Sequence, residues 1–276
     1  MEKYLQFVKK YFLNLMCFLL VLSSIGLLLA QNATQTIKEG KGEDVSFDSV
    51  ERMAAVYDST LLPLYESVLY NKTKKAEYSS ITVHSQTLIS DEEQFVEEEL
   101  LTAIDGEVIY MRADQKWRIK VETSDGEKML HMDISKEFYV TPNCFLYRVL
   151  NLNTDLPYED LAHELSFPES AAGEAFLKGV FSGKLIGQWV DLSNIPEWRE
   201  FCEWSIELTI EGFEILMDFV NQEQVGNLNW YFTVGNHPCV TYSTREMGVC
   251  VQGSVMYSNV NNTEIKTIDP KRAMKL

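Results

Sequence analysis

The sequence predicts an α+β fold in which a curved antiparallel β-sheet packs with one or more helices. Two observations predict it. Apolar residues recur at helical spacing over Phe47, Val50, Ala54, Tyr57 and Leu61, and from Tyr78 onward the period falls from near four to two. A third observation places the chain in an oxidising compartment. Lys3, Lys9 and Lys10 precede an apolar run from Tyr11 to Ala30, which breaks at once into Gln31-Asn-Ala-Thr-Gln35. A short cationic region, an apolar stretch and a terminal small residue are what translocation and signal peptidase require, so residues 1–30 are expected to be a signal peptide. The run is also long enough to span a bilayer, and Leu28 is bulky for its place before the cut, so an uncleaved anchor is the alternative. The expected location is secreted or extracellular, with the lysosomal lumen or an N-terminally membrane-anchored form as the other readings.

Residues 31–45 are polar and contain Gly40 and Gly42, which reads as a flexible leader. Ser46 has the chemistry of a helix cap, and the apolar stripe runs from Phe47 to a stop at Pro63. One face of this helix is expected to pack on the sheet. Its outward face is not cationic, which argues against a role on membranes.

Strands follow. Ser80-Ile-Thr-Val-His84 alternates, and Asp105-Gly106 is a turn leading into Glu107-Val-Ile-Tyr-Met111. Trp117, Ile119 and Val121 point one way while Arg118, Lys120 and Glu122 point the other. After Asp125-Gly126 come Met129–Ile134 and Phe138–Val140, then Pro142-Asn143-Cys144. Short strands joined by tight turns make an antiparallel meander. Between 150 and 204 the pattern is less regular, with a short helix expected from Tyr158 to Leu165. The glycines at 173, 179, 183 and 187 read as turns or close-packing points. Further strands are expected at 205–211, 213–220, 227–234 and 249–255. No repeat, linker or composition break follows residue 45, so 46–276 reads as one domain.

Of 276 residues, 24 are Lys or Arg and 41 are Asp or Glu, a net charge of −17. Without the first thirty residues, which hold three lysines and one glutamate, it is −19. An anionic surface gains nothing from releasing counterions off a phosphate backbone, so no nucleic-acid partner is expected, nor an anionic lipid surface. Five cysteines occur; Cys17 lies in the signal, leaving Cys144, Cys202, Cys239 and Cys250. An even number in an exported chain reads as two disulfides with three connectivities open. Sequons at Asn32, Asn71 and Asn261 fall in polar stretches suited to glycosylation.

Catalytic signatures are absent. There is no G-x-S-x-G elbow, no H-E-x-x-H, no phosphate loop and no dinucleotide fingerprint. The four histidines are scattered and no cysteine pair is spaced C-x-x-C, so no metal site, no cofactor and no enzymatic activity are expected. Asp91-Glu-Glu93 with Glu97-Glu-Glu99 lacks the Asp/Asn alternation and central Gly of a calcium loop and reads as a solvated face or loop. What remains is a half-polar sheet under a helix, with Met111, Trp117, Met129, Met132, Phe138 and Trp230 as candidate lining of an apolar cleft. The expected partner is a hydrophobic small molecule or lipid. The rival reading is an extracellular or cell-surface interaction protein with a filled core and an acidic exterior.

The stretches Trp117-Arg-Ile-Lys-Val121, Asp133-Ile-Ser-Lys-Glu-Phe-Tyr-Val140 and Pro142-Asn-Cys-Phe-Leu-Tyr147 resemble the ependymin-related proteins and their eukaryotic LolA-like relatives. Trp230-Tyr-Phe-Thr-Val-Gly-Asn-His-Pro-Cys239, Tyr257-Ser-Asn-Val260 and Ile268-Asp-Pro270 are similar to that family's later strands. The pieces occur in the family's order over most of residues 75–270. The match is loose from 150 to 225, and the family's cysteine beyond Asp-Pro is missing, so no cysteine pairing carries over. The resemblance implies a divergent member, a half-barrel sheet enclosing a hydrophobic cavity for lipid-like ligands, and a secreted or lysosomal glycoprotein. It supplies no catalytic residues.

Overall fold

The computed structural model describes residues 37–38, 55–123, 125–161, 171–195, 229–233, 239–246 and 249–275. Of 37–38, 122, 229–233, 239–246 and 249–257 it describes the backbone alone. The chain forms an α+β fold around one large open, mixed sheet. In chain order the elements are β1 (Ile37–Lys38), a π-helical turn (Tyr57–Leu61) running into α1 (Leu62–Tyr70), β2 (Ser80–Ser90), β3 (Phe95–Asp105), β4 (Val108–Thr123), β5 (Gly126–Thr141) and β6 (Cys144–Thr154). Then come α2 (Tyr158–Leu161), α3 (Ala171–Phe181), β7 (Val190–Asp191), β8 (Asn229–Thr233), β9 (Cys239–Glu246), β10 (Val249–Ser258), β11 (Glu264–Ile265), a 3₁₀ turn (Pro270–Arg272) and β12 (Met274–Lys275). The sheet order is β12-β7-β6-β5-β4-β3-β2-β10-β9-β8, antiparallel throughout except for the parallel β12–β7 pair. The expected strands at 205–211 and 213–220 lie outside the described residues.

Three expectations are corrected. The segments 107–111 and 117–121 are one continuous strand, β4, and 129–134 and 138–140 are likewise one strand, β5. The polar stretch Arg112-Ala-Asp-Gln-Lys116 does not interrupt β4 because it keeps the two-residue period, with Arg112, Asp114 and Lys116 on one face and Ala113 and Gln115 on the other. The acidic run was expected as a solvated face or loop; only Asp91–Gln94 forms a turn, and Phe95–Asp105 is strand. Within the expected leader, Ile37 and Lys38 pair with Ile265 and Glu264.

The helix does not stop at Pro63. A proline ring clashes with the carbonyl four residues back and removes one hydrogen bond. Here the turn before it is wider, closed by the Leu62 N–H donating to Tyr57 O, and the Ser59 carbonyl that Pro63 leaves without its helical donor accepts from Glu77 N–H at 2.7 Å. The helix therefore runs on to Tyr70 and ends at Asn71 in the left-handed region, φ 53°. It buries Val56, Tyr57, Leu61, Leu64, Tyr65, Val68 and Leu69 against one sheet face, where Ile81, Val83, Ile104, Ile109, Phe138 and Val140 meet it. Helix α3 adds Phe176 and Val180 to the same core.

Two glycine roles fit the sequence reading. Gly183 and Gly187 have φ of 77° and 76° in the turn after α3, and Gly179 inside α3 lets Leu185 approach so closely that a Cβ there would lie 2.5 Å from its Cδ1. On the opposite sheet face, the C-terminal segment lays Ile265, Ile268 and Ala273 over Tyr139, Cys144 and Leu146. No helix among the described residues is long and apolar enough to cross a membrane.

At the β2–β3 turn, Asp91 Oδ1 accepts from the backbone N–H groups of Glu93 at 2.8 Å and Gln94 at 2.7 Å. Burial alone would raise the Asp91 pKa; these bonds, the Gln94 side-chain amide and the charge of Lys120 together hold it below the usual carboxylate range. A carboxyl depressed in this way stabilises the fold fully above its unfolded pKa of about 3.9, and loses that contribution as pH falls through the lower folded value. Asp91→Ala is expected to cost about 1 kcal/mol at neutral pH. In urea unfolding the gap to the parent should narrow as pH falls below the unfolded value of about 3.9 and close once the lower folded value is passed; an unchanged gap would contradict the turn. Gly179→Ala would normally gain about 1 kcal/mol in a helix interior. Here overpacking of about 1–3 kcal/mol against Leu185 should reverse the sign, giving a lower Tm.

Candidate functional site

Strands β2 to β6 hold side chains in register like the rungs of a ladder, and the inner face, the one under α1 and α3, can be read rung by rung. At one end stand Ile81, Ile104, Ile109, Val140 and Phe145. Next come Val83, Thr102, Met111, Phe138 and Tyr147, then Ser85, Leu100, Ala113, Lys136 and Val149. The fourth rung is Thr87, Glu98, Gln115, Ile134 and Leu152, and the fifth is Ile89, Val96, Trp117, Met132 and Thr154. Two apolar clusters occupy the ends of this face, and between them lies a belt of buried polar side chains: Ser85, Thr87, Glu98, Gln115 and Lys136.

A bulge keeps β6 in this pattern. Lys136 pairs with Val149 and Ser135 with Asn151, so Leu150 is the extra residue. Phe145, Tyr147 and Val149 face inward before it and Leu152 after it, where Leu152 packs against both apolar clusters. Without the bulge Leu152 would point outward and Asn151 inward.

Glu98 is 1% exposed, and its carboxylate accepts from the Gln115 Nε2 amide. A carboxylate out of water needs such partners, since desolvation of a charge costs several kcal/mol. The Lys136 ammonium lies 6.0 Å from the Phe138 ring centroid, and Phe138 stacks on Tyr147 at 4.5 Å. Tyr147 in turn meets Phe176 of α3 at 4.9 Å. Burial pushes the Tyr147 hydroxyl pKa well above its ordinary value, so that hydroxyl stays protonated. Trp117 is 6% exposed, and its indole Nε1–H has no hydrogen-bond partner among the described residues.

Four of the six expected lining residues come together on this face as two cross-strand pairs, Met111 opposite Phe138 and Trp117 opposite Met132. Met129 is corrected: three residues from Met132 on one strand, it lies on the opposite face, across from Lys120 and half-buried. Trp230 stands on the outermost strand β8, opposite Tyr242, and its side chain is outside the described residues. Sequence reasoning missed Glu98, Gln115 and Lys136. The alternation that set Trp117, Ile119 and Val121 on one side carries back to Gln115, and Val96-x-Glu98-x-Leu100 repeats it on β3.

The outer face is charged. Lys116 pairs with Glu97 at 3.0 Å, and Glu99 stands opposite Asp114, with burial first and that like charge second raising its pKa. Near the C-terminal segment, Glu137 accepts from the Tyr110 hydroxyl at 2.8 Å and from Arg148, whose guanidinium lies 4.5 Å from the Trp189 ring centroid. His131 Nδ1 contacts the Asp155 carboxylate at 2.7 Å on the surface. No group of three His, Cys, Asp or Glu residues suited to a metal ion is found among the described residues.

Cys144, expected in a disulfide, is a buried free thiol in this structure; burial raises its pKa, against the lowering effect of a hydrogen bond with Ser193. Cys239 stands opposite Met256 and Cys250 opposite Arg245, six rungs apart on the β9–β10 ladder. That is ~20 Å along the strands, far beyond a disulfide's Cα reach, so of the three connectivities the one joining Cys239 to Cys250 is excluded. Cys202 lies outside the described residues. Asn71 and Asn261 are exposed, both with positive φ, and Asn261 Oδ1 accepts from Ser79 N–H at 2.8 Å. Asn32 is outside the described residues.

Compared with protein-family models and with curated proteins, the chain finds no match in either.

If Glu98 and Gln115 satisfy each other, Glu98→Gln should be tolerated and Glu98→Ala should not. The alanine variant removes the charged acceptor of the Gln115 Nε2 hydrogen bond, a loss of about 1–3 kcal/mol. Denaturant unfolding of the two variants side by side measures it, and equal stabilities would contradict the contact.

Proposed function

We propose that this chain is an exported, non-enzymatic carrier of a lipid or other hydrophobic ligand, held against the inner face of the sheet. The observation that carries the reading is the facing of Met111 with Phe138 and of Trp117 with Met132 on one face, beside a buried polar belt. Large adaptable side chains with a few fixed polar groups are the composition of a small-molecule site. A kinship with the ependymin-related and LolA-like proteins is part of the proposal. It is supported by the fall of the three motif stretches on the consecutive antiparallel strands β4, β5 and β6. The exposed sequon residues Asn71 and Asn261, together with the N-terminal cationic-apolar pattern, support a secretory route and glycosylation.

A second reading draws on a specific observation. Trp117 and Met132 are 6% and 3% exposed and pack with Ile119, Leu130 and Leu161, which suits a filled core whose function lies on the acidic exterior, an extracellular protein partner being bound there. Secretion of the full chain from eukaryotic cells, followed by native mass spectrometry and organic extraction, separates the two. The carrier reading expects near-stoichiometric lipid that is lost on extraction. A clean apo mass, unchanged after exposure to mixed lipids, would sink it in favour of the interaction protein.

A further inference from the structure

Resting on the carrier reading, we infer that the ligand bears a neutral oxygen function, a hydroxyl or carbonyl, which accepts a hydrogen bond from the Trp117 indole. Trp117 stands on the fifth rung, in the apolar cluster at one end of the face where that cluster borders the polar belt, two residues along β4 from Gln115. Its side chain is more than nine-tenths buried and its Nε1–H finds no acceptor among the described residues. A buried donor without a partner destabilises a fold, and nearly all such donors in proteins are satisfied. Tryptophan offers only a donor, so the missing partner is an acceptor.

The surroundings narrow the class of ligand. On the neighbouring rung the buried Glu98 carboxylate accepts from the Gln115 amide and stands one rung nearer to Trp117 than the buried Lys136 ammonium does, so an anion at Trp117 meets the like charge first, in addition to its own desolvation. A fatty-acid carboxylate therefore suits this position poorly. A pure hydrocarbon leaves the indole as it is. An alcohol or carbonyl oxygen satisfies the donor with no net charge, while its apolar body lies along the Val96, Trp117 and Met132 cluster.

The test uses the full secreted chain and three probes of equal length, decane, 1-decanol and decanoate, with affinities from competition against a fluorescent apolar dye. Decanol is expected to bind about tenfold more tightly than decane, the worth of one buried hydrogen bond, and more tightly than decanoate. Trp117→Phe keeps an aromatic ring without the donor, and should lose the preference for decanol while still binding decane. A decanol preference that survives Trp117→Phe, equal binding of decane and decanol, or tightest binding of decanoate would each overturn the inference and leave the carrier reading standing. Failure of all three probes to bind would overturn the carrier reading itself. Should the variant not fold, ¹⁵N-indole spectra of the parent decide: decanol, but not decane, should move a single indole N–H resonance downfield, and no such movement would refute the contact.

Discussion

Everything on the inner face depends on the register of β3, β4 and β5. Because side chains alternate strictly along a strand, a slip of one residue would turn Gln115 and Trp117 outward and bring Lys116 and Arg118 in. The fourth and fifth rungs make the right register the cheap one. Glu98 accepts from Gln115 because the two stand opposite each other, and Val96, Trp117 and Met132 share one apolar cluster in the same alignment. The tight Asp105–Gly106 turn, with Gly106 at φ 55°, and the glycine at 126 fix the two hairpin ends, so turn chemistry and core chemistry specify one pairing.

The other elements are accommodated to that ladder by local departures from regularity. The π turn ahead of Pro63 lets one helix extend over the sheet from Val56 to Leu69 instead of breaking, with the Glu77 amide satisfying the carbonyl that proline abandons. The bulge at Leu150 restores the inward direction of β6 at Leu152. Gly179 lets the turn after α3 fold back tightly enough for Leu185 to join the core. The outer face, by contrast, is charged over β3 and β4, and among the described residues it is covered at one end, where the C-terminal segment and Trp189 lie over Tyr139 and Leu146.

Between Ser80 and Cys144 β3 was not read as a strand, whereas the start of β2, parts of β4 and β5 and the two Asp-Gly turns were legible because alternation and Asp-Gly pairs are local signals. The length of β4 was not, since Arg112-Ala-Asp-Gln-Lys116 is polar on both faces, and a polar inward residue looks like a loop until its neighbours are known. Glu98 was hidden for the same reason: three consecutive glutamates read as solvated, and only pairing with β4 reveals that the middle one is inside. The run of the helix through Pro63 depended on a distant amide, that of Glu77, which no local pattern contains. Of the expected lining residues, Met111, Trp117, Met132 and Phe138 share the inner face, whereas Met129 was grouped with Met132 without counting the odd spacing that separates their faces.

The inner sheet face is apolar at both ends and polar in its middle, and it is this face on which the carrier proposal stands or falls. The most direct test of the underlying claim is a nuclear Overhauser experiment on selectively methyl-labelled protein. The account predicts contacts from the Trp117 indole to the Val96 methyls and to the Met132 methyl, with Met129 giving none to that ring. Contacts from Trp117 to Met129 in place of Met132 would contradict the register, and with it the polar belt and the placement of the site.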